Sequence, residues 1–226
     1  MKHIKALHFT MIELLTVFSV LLILASLLQP SFSKMFNQAQ TVECLSNLNK
    51  VSSALAMYID DSDGLYPNIK SPYHLMGKIG EVRGGYKNKF LNPYMGDNYE
   101  TAHCPADIGD VHYSGSGGKV SSTYDSFGSS YLPARFNVGG VKALFSYTKP
   151  VSVNSITHTQ NKFVMADWPW GIWRDAKDAE TRRHGGDVSR MLNILFADGH
   201  AALTDFTLEY ELNRFTMKPN KNWIYW

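Results

Sequence analysis

A run of twenty residues from Phe9 to Leu28, FTMIELLTVFSVLLILASLL, carries a single charge, Glu13, and limits the fold more than any other stretch. At about 1.5 Å of rise per helical residue it spans about 30 Å, the thickness of a bilayer's hydrocarbon core. Lys2, His3 and Lys5 precede it and Lys34 is the nearest charge after it, so the positive-inside rule puts the N-terminus in the cytoplasm and the remainder outside. A secretory signal peptide has a shorter apolar region and a small-residue cleavage site, which Gln29-Pro30-Ser31 does not supply. A plain single-pass anchor accounts for the run but not for the carboxylate. A charge in lipid costs about 2.5 to 3.5 kcal/mol at the centre and less near an end, so Glu13 is expected to have a partner.

The helix is expected to continue beyond the run. Met35, Ala39, Val42, Leu45, Leu48, Ser52, Leu55 and Tyr58 recur at steps of three and four and trace one face, with Gln38, Gln40, Glu43, Asn47, Asn49 and Lys50 on the others. One rod from about Phe9 to about Ile59 follows, its first half suited to lipid and its second to water. Pro30 removes an intrahelical hydrogen bond and predicts a kink between the halves. Asp60, Asp61, Asp63 and Gly64 end the rod.

HFTMIELLTVFSVLLILASLLQP followed by an amphipathic helix resembles the N-terminal cleavage and methylation segment of type IV pilins and type II secretion pseudopilins. The resemblance implies that a prepilin peptidase cuts between His8 and Phe9 and methylates the new amine. It implies that Glu13, fifth in the mature chain, neutralises the amine of a neighbouring subunit during assembly, and that Pro30 sits where such helices commonly carry a proline. His8 departs from the family, which carries Gly before the cut. The Cys-Leu-Ser-Asn-Leu stretch Cys44 to Leu48 and the Asp60 to Asn68 exit resemble a pseudopilin-like subgroup, as do Arg183-His184-Gly185-Gly186 and Phe196-Ala197-Asp198-Gly199-His200.

The middle of the chain is less patterned. DDSDGLYPN fails the EF-hand spacing, because Ile59 takes the first ligand place, and reads as a solvated helix exit. From Ser71 to Ser130 the Gly, Ser, Tyr and Asn content reads as loops, with short helices at His74 to Ile79 and Lys89 to Tyr94. GSGGKVSS at Gly115 to Ser122 lacks the Gly-Lys-Ser/Thr ending of a phosphate loop. Cys44 and Cys104 are an even pair in an expected oxidising compartment. They read as a disulfide adding about 3 to 4 kcal/mol, with two buried free thiols as the alternative. Their separation offers no zinc spacing.

The last third reads as β structure: Val141 to Thr148, Lys162 to Ala166, and Met191 to Ala197 paired with His200 to Thr204. Asp198-Gly199 between two apolar runs predicts a two-residue hairpin turn. His184, Asp198, His200 and Asp167 could converge on a metal or act as an acid/base set. No nucleophile or paired carboxylate accompanies them at defined spacing, so turn formation and local hydrogen bonding are the simpler account. Phe206, Tyr210, Phe215, Trp223, Tyr225 and Trp226 either form a binding platform or cover a sheet edge.

These readings predict a pilin-like α+β architecture: a leader over 1–8, a transmembrane half-helix over 9–29, an amphipathic half over 30–63 and an α+β domain over 64–226. With 22 basic and 20 acidic residues, the charge gives no footprint for nucleic acid. The resemblance implies a structural subunit of a pseudopilus or pilus-like fibre at the inner membrane, not an enzyme. Its partners are the prepilin peptidase, other pilin or pseudopilin subunits and the assembly platform. No cofactor is expected, although some pseudopilins bind calcium. A monomeric membrane-anchored binding module and an outward-facing enzyme built on His184, Asp167 and Asp198 are the alternatives.

Overall fold

The computed structural model describes residues 10–82, 86–96, 98–110, 119–134, 144–145, 149–156, 158–168, 183–184 and 191–205, with the backbone only at positions 30 and 31. A 51-residue helix, α1 (Met11–Asp61), opens the chain and runs through position 30 as a single helical element. The chain divides into two compact units, Met1–Ala39 and Gln40–Trp226.

In the first unit every described side chain is exposed, including Met11, Ile12, Leu15, Phe18, Leu22 and Ile23. Water does not tolerate such a surface cheaply, since each buried apolar side chain of this size is worth about 1.5 to 3 kcal/mol. The helix is long and apolar enough to cross a membrane.

In the second unit α1 presents Thr41, Cys44, Leu48, Val51 and Leu55 as a buried stripe, flanked by Asn47 and Ala54. This corrects the phase expected from apolar spacing: Met35 is 63% and Val42 64% exposed, whereas Asn47, expected on a polar face, is buried. Polar residues belong to the stripe because the core supplies their partners. Asn47 Nδ2 donates to the His103 carbonyl at 3.0 Å, and the Tyr131 hydroxyl donates to the Cys44 carbonyl at 3.3 Å.

Four strands, β1 (Tyr131–Pro133), β2 (Phe163–Asp167), β3 (Met191–Phe196) and β4 (Ala201–Asp205), form one antiparallel sheet in sequence order. With the long α1, this is an α+β layout. The register pairs Tyr131 with Asp167, Met165 with Leu195 and Asn193 with Leu203. One face thereby sends Tyr131, Met165 and Leu195 into a cluster with Cys44, Leu48, Val51 and Leu55 of α1. The other sends Leu132, Ala166, Leu192, Ile194 and Phe196 against Phe127 and Trp168. A register irregularity between Phe163 and Met165 lets consecutive Val164 and Met165 enter the same cluster, against the ordinary alternation of a strand.

The β3–β4 hairpin exists, but its loop has three residues rather than two. Phe196 N–H donates to the His200 carbonyl and Gly199 N–H to the Phe196 carbonyl, so Ala197, Asp198 and Gly199 form the loop. Gly199 has φ +96° while Asp198 is not in the positive-φ region, which excludes the two-residue turn with both central residues left-handed.

Between 71 and 130 the expected helix His74 to Ile79 is not formed, since the 3₁₀ turn Pro72–His74 shares only His74 with it, and in place of the expected helix Lys89 to Tyr94 there is a 3₁₀ turn, Asn92–Met95. A third 3₁₀ turn, Tyr99–Ala102, and a short helix, α2 (Thr123–Phe127), join them. Ser122 caps α2 by accepting from Asp125 N–H, and Gly128 ends it at φ +90°, where a Cβ would lie 2.0 Å from the Lys78 carbonyl oxygen. Of the expected strand Val141 to Thr148, only the buried Leu144 and Phe145 are described, and they are not in a strand. The aromatic tail from 206 onward lies outside the described residues.

Candidate functional site

Two features carry polar chemistry that the fold must accommodate: Glu13 in the apolar half of α1, and a buried polar layer in the second unit. Thr10-Met11-Ile12-Glu13 has the Ser/Thr-x-x-Glu spacing of a capping box. Glu13 Oε2 accepts from Thr10 N–H at 2.8 Å and from Thr10 Oγ1 at 2.7 Å, while Thr10 Oγ1 faces Glu13 N–H at 3.3 Å. The charge therefore has a partner within its own chain, satisfying orphan donors at the helix start. His8 and Phe9, the residues of the expected cleavage point, lie outside the described residues, and so does the Pro30 side chain.

The buried layer is built from α1, the sheet face that meets it and the 102–107 loop. Cys44 and Cys104 are joined in a disulfide closing 60 residues, and both are fully buried. His184 lies against them, with Cys104 Sγ 3.6 Å from Nε2 and Thr41 Oγ1 3.1 Å from Nδ1. Asp167 Oδ2 is 3.1 Å from His184 Nε2 and accepts from Asn193 N–H at 2.7 Å, and Asn193 Nδ2 is 2.9 Å from the same ring nitrogen. The strand alternation that points Met165 and Leu195 inward also points Asp167 and Asn193 inward. Asp167 Oδ1 and Asn193 Oδ1 are buried without a hydrogen-bond partner among the described residues.

A second buried group flanks the first. Arg183 donates from Nη2 to Asp107 Oδ1 at 2.7 Å and to Thr123 Oγ1 at 2.8 Å, and from Nη1 to the Ser130 carbonyl at 2.9 Å. Asp107 also accepts from Gly109 N–H, Thr123 N–H and Oγ1, Tyr124 N–H and Ser130 Oγ. Burial works to raise its pKa, but the Arg183 guanidinium and these hydrogen bonds outweigh it and hold the carboxyl at about 2. The arrangement locks the α2 region to the Cys104 loop. Sequence reasoning missed Asp107 and the Arg183 partnership, which joins residues 76 apart.

Of the four residues that could have converged, the fold separates two pairs. His184 and Asp167 meet in the buried layer, while Asp198 and His200 meet on the surface of the hairpin, Oδ1 to Nδ1 at 2.6 Å. Asp198 Oδ1 also accepts from His200 N–H, and the His200 ring stacks on Phe196 at 4.4 Å. This second pair braces the turn. The side chains of His184 and Asp167 are both fully buried, and the sulfur beside the imidazole is already bonded to another sulfur, so it is not a free thiol. Comparison with models of known families, with curated proteins and with solved structures finds no match to this chain.

Proposed function

We propose that the chain is a pilin-like structural subunit, a pseudopilin, which assembles by helix packing into a periplasmic pseudopilus or pilus-like fibre, with type II secretion as its setting. In this reading residues 9–29 sit in the inner membrane with the N-terminus cytoplasmic, and the α+β unit lies outside. A prepilin peptidase cuts between His8 and Phe9, Glu13 receives the amine of a neighbouring subunit, and the assembly platform adds each subunit in turn. Catalysis and a cofactor are not required of it.

The observation that supports this most is α1 itself. Its first unit leaves every described apolar side chain without cover, and its second unit is buried in a folded core, so one helix has both a free face for lipid or neighbours and a fixed head.

The capping box sets the test, because a cap and an assembly contact depend on different properties of Glu13. Glu13→Gln keeps the capping geometry and removes the charge, whereas Thr10→Val removes the hydroxyl and keeps the charge. Crosslinking or pulldown in the native membrane is expected to show fibre incorporation lost for Glu13→Gln and retained for Thr10→Val. Equal incorporation by wild type and Glu13→Gln overturns the assembly role. N-terminal sequencing of protein from its own host checks the cut, and an intact Met1 terminus refutes it.

A further inference from the structure

We propose that the reduced chain holds a zinc-class divalent ion at Cys44, Cys104, His184 and Asp167, and that disulfide formation and metal binding are mutually exclusive states of this one site. The ligand atoms of Cys44, Cys104 and His184 already lie within 4.8 Å of one another. Zinc takes four ligands tetrahedrally at about 2.3 Å for sulfur and 2.0 to 2.2 Å for nitrogen and oxygen, which sets sulfur and nitrogen about 3.6 Å apart and nitrogen and oxygen about 3.4 Å apart. Cys104 Sγ and His184 Nε2 are 3.6 Å apart, and Asp167 Oδ2 and His184 Nε2 are 3.1 Å apart. The bonded sulfurs have to separate to about 3.8 Å on the same geometry, and Asp167, outside the group of three whose ligand atoms lie within 4.8 Å of one another, has to swing toward them.

Three further features fit a metal. Thr41 Oγ1 faces His184 Nδ1 at 3.1 Å, so the ring can donate there and present an unprotonated Nε2 to the ion, the outer contact that ligating histidines use. Asp167 Oδ1 is buried with no partner among the described residues, an acceptor whose satisfaction a cation provides. Asn193, whose amide nitrogen is 2.9 Å from Nε2, has to turn away when the ion enters, and its own Oδ1 has no partner to lose among the described residues.

The exchange balances. A dithiol reductant takes the disulfide to two thiols and leaves as its own cyclic disulfide; the two thiols then lose two protons as the ion binds. In the reverse direction an oxidising disulfide accepts the electron pair from the two thiolates, which form the Cys44–Cys104 bond, and the ion departs with two small thiolates released. Both sulfurs are fully buried, so the choice between the states is made while the chain folds. This inference does not depend on the fibre role.

The test refolds the full chain in detergent from denaturant in two forms, one reduced under anaerobic dithiol with cobalt(II) or zinc(II), the other oxidised with the same ions. The reduced chain is expected to bind one equivalent, with tetrahedral thiolate–cobalt absorption and the near-ultraviolet circular dichroism of the oxidised form. The oxidised chain is expected to bind none. Cys44→Ser should abolish the thiolate–cobalt band, and Asp167→Asn should weaken binding at least tenfold while the fold is retained. A reduced chain that stays unfolded with metal overturns the proposal. So does one that folds without binding, binds octahedrally, or binds as well after oxidation.

Discussion

Asp107→Asn tests whether the buried Asp107–Arg183 pair locks the α2 region to the Cys104 loop. Six groups donate to the carboxylate: the N–H groups of Gly109, Thr123 and Tyr124, the hydroxyls of Thr123 and Ser130, and the Arg183 guanidinium. The asparagine amide turns one acceptor oxygen into a donor facing three of these donors, and it leaves Arg183 buried without a counter-charge. Breaking one side of a buried pair costs about 3 to 5 kcal/mol. The pH dependence separates charge from shape. The carboxyl falls from 3.8 to about 2 in the folded chain, which corresponds to about 2 kcal/mol of stabilisation. Because the folded value is depressed, this contribution is complete above the unfolded pKa and is lost as pH falls through the folded one. Urea unfolding of wild type and variant in detergent, followed by tryptophan fluorescence, should show the full gap at neutral pH. Near pH 2.5 the gap should shrink by about two thirds of the charge contribution. A gap below about 1 kcal/mol at neutral pH, or one unchanged at acid pH, refutes the reasoning.

Other expectations follow from single sites. Lys89 is buried, its ammonium donating to the carbonyls of Met76 and Lys78, and burial lowers its pKa from 10.5 to about 8. A depressed lysine disfavours the folded state below its folded value and ceases to do so as pH climbs through 8 toward the unfolded value. The stability of wild type relative to Lys89→Met should therefore rise by about 3 kcal/mol across that window in paired denaturation curves. The Cys44→Ser/Cys104→Ser double variant, folded without added metal, should lose about 4 kcal/mol from a 60-residue closure, read as a lower urea midpoint. Gly199→Ala should cost about 1 to 2 kcal/mol, because φ is +96° and the new Cβ would sit 3.1 Å from Ser52 Oγ. Leu48→Ala, at a fully buried α1 position, should cost about 2 to 5 kcal/mol by thermal unfolding.

Long-period features were legible in the sequence and short or non-local ones were not. The extent of α1 follows from helix-compatible residues on both sides of Pro30 ending in an acidic, Gly-containing exit, and the hairpin follows from apolar runs flanking Asp198-Gly199. The helix phase failed because the buried stripe includes Thr41 and Asn47, which apolar spacing assigns to water until their partners are known. Strand β2 has all five residues buried, so no alternation marks which side meets α1. Helix α2 did carry a local signal, Ser122 and Asp125 before Gly128, hidden in a Gly- and Ser-rich stretch. For the polar layer, Asp107, Thr123 and Arg183 are brought together across the chain, and no spacing rule reaches that far. The capping box was local and readable.

That box bears on how Glu13 could serve a neighbour without unravelling its own helix. An N-terminal cap is worth about 0.5 to 2 kcal/mol, so a carboxylate drawn off to a second subunit's amine would have to recover that loss there. The geometry removes the conflict. Both bonds from Thr10 end on Oε2, and Oε1 makes no hydrogen bond among the described residues. On the proposed reading, a neighbouring ammonium can be met by Oε1 while Oε2 still holds Thr10. The incoming charge then adds to a preorganised carboxylate instead of competing for it. Glutamine at this position keeps the Oε2-type contact but offers an amide where the ammonium arrives, which is why the cap survives and the recognition does not.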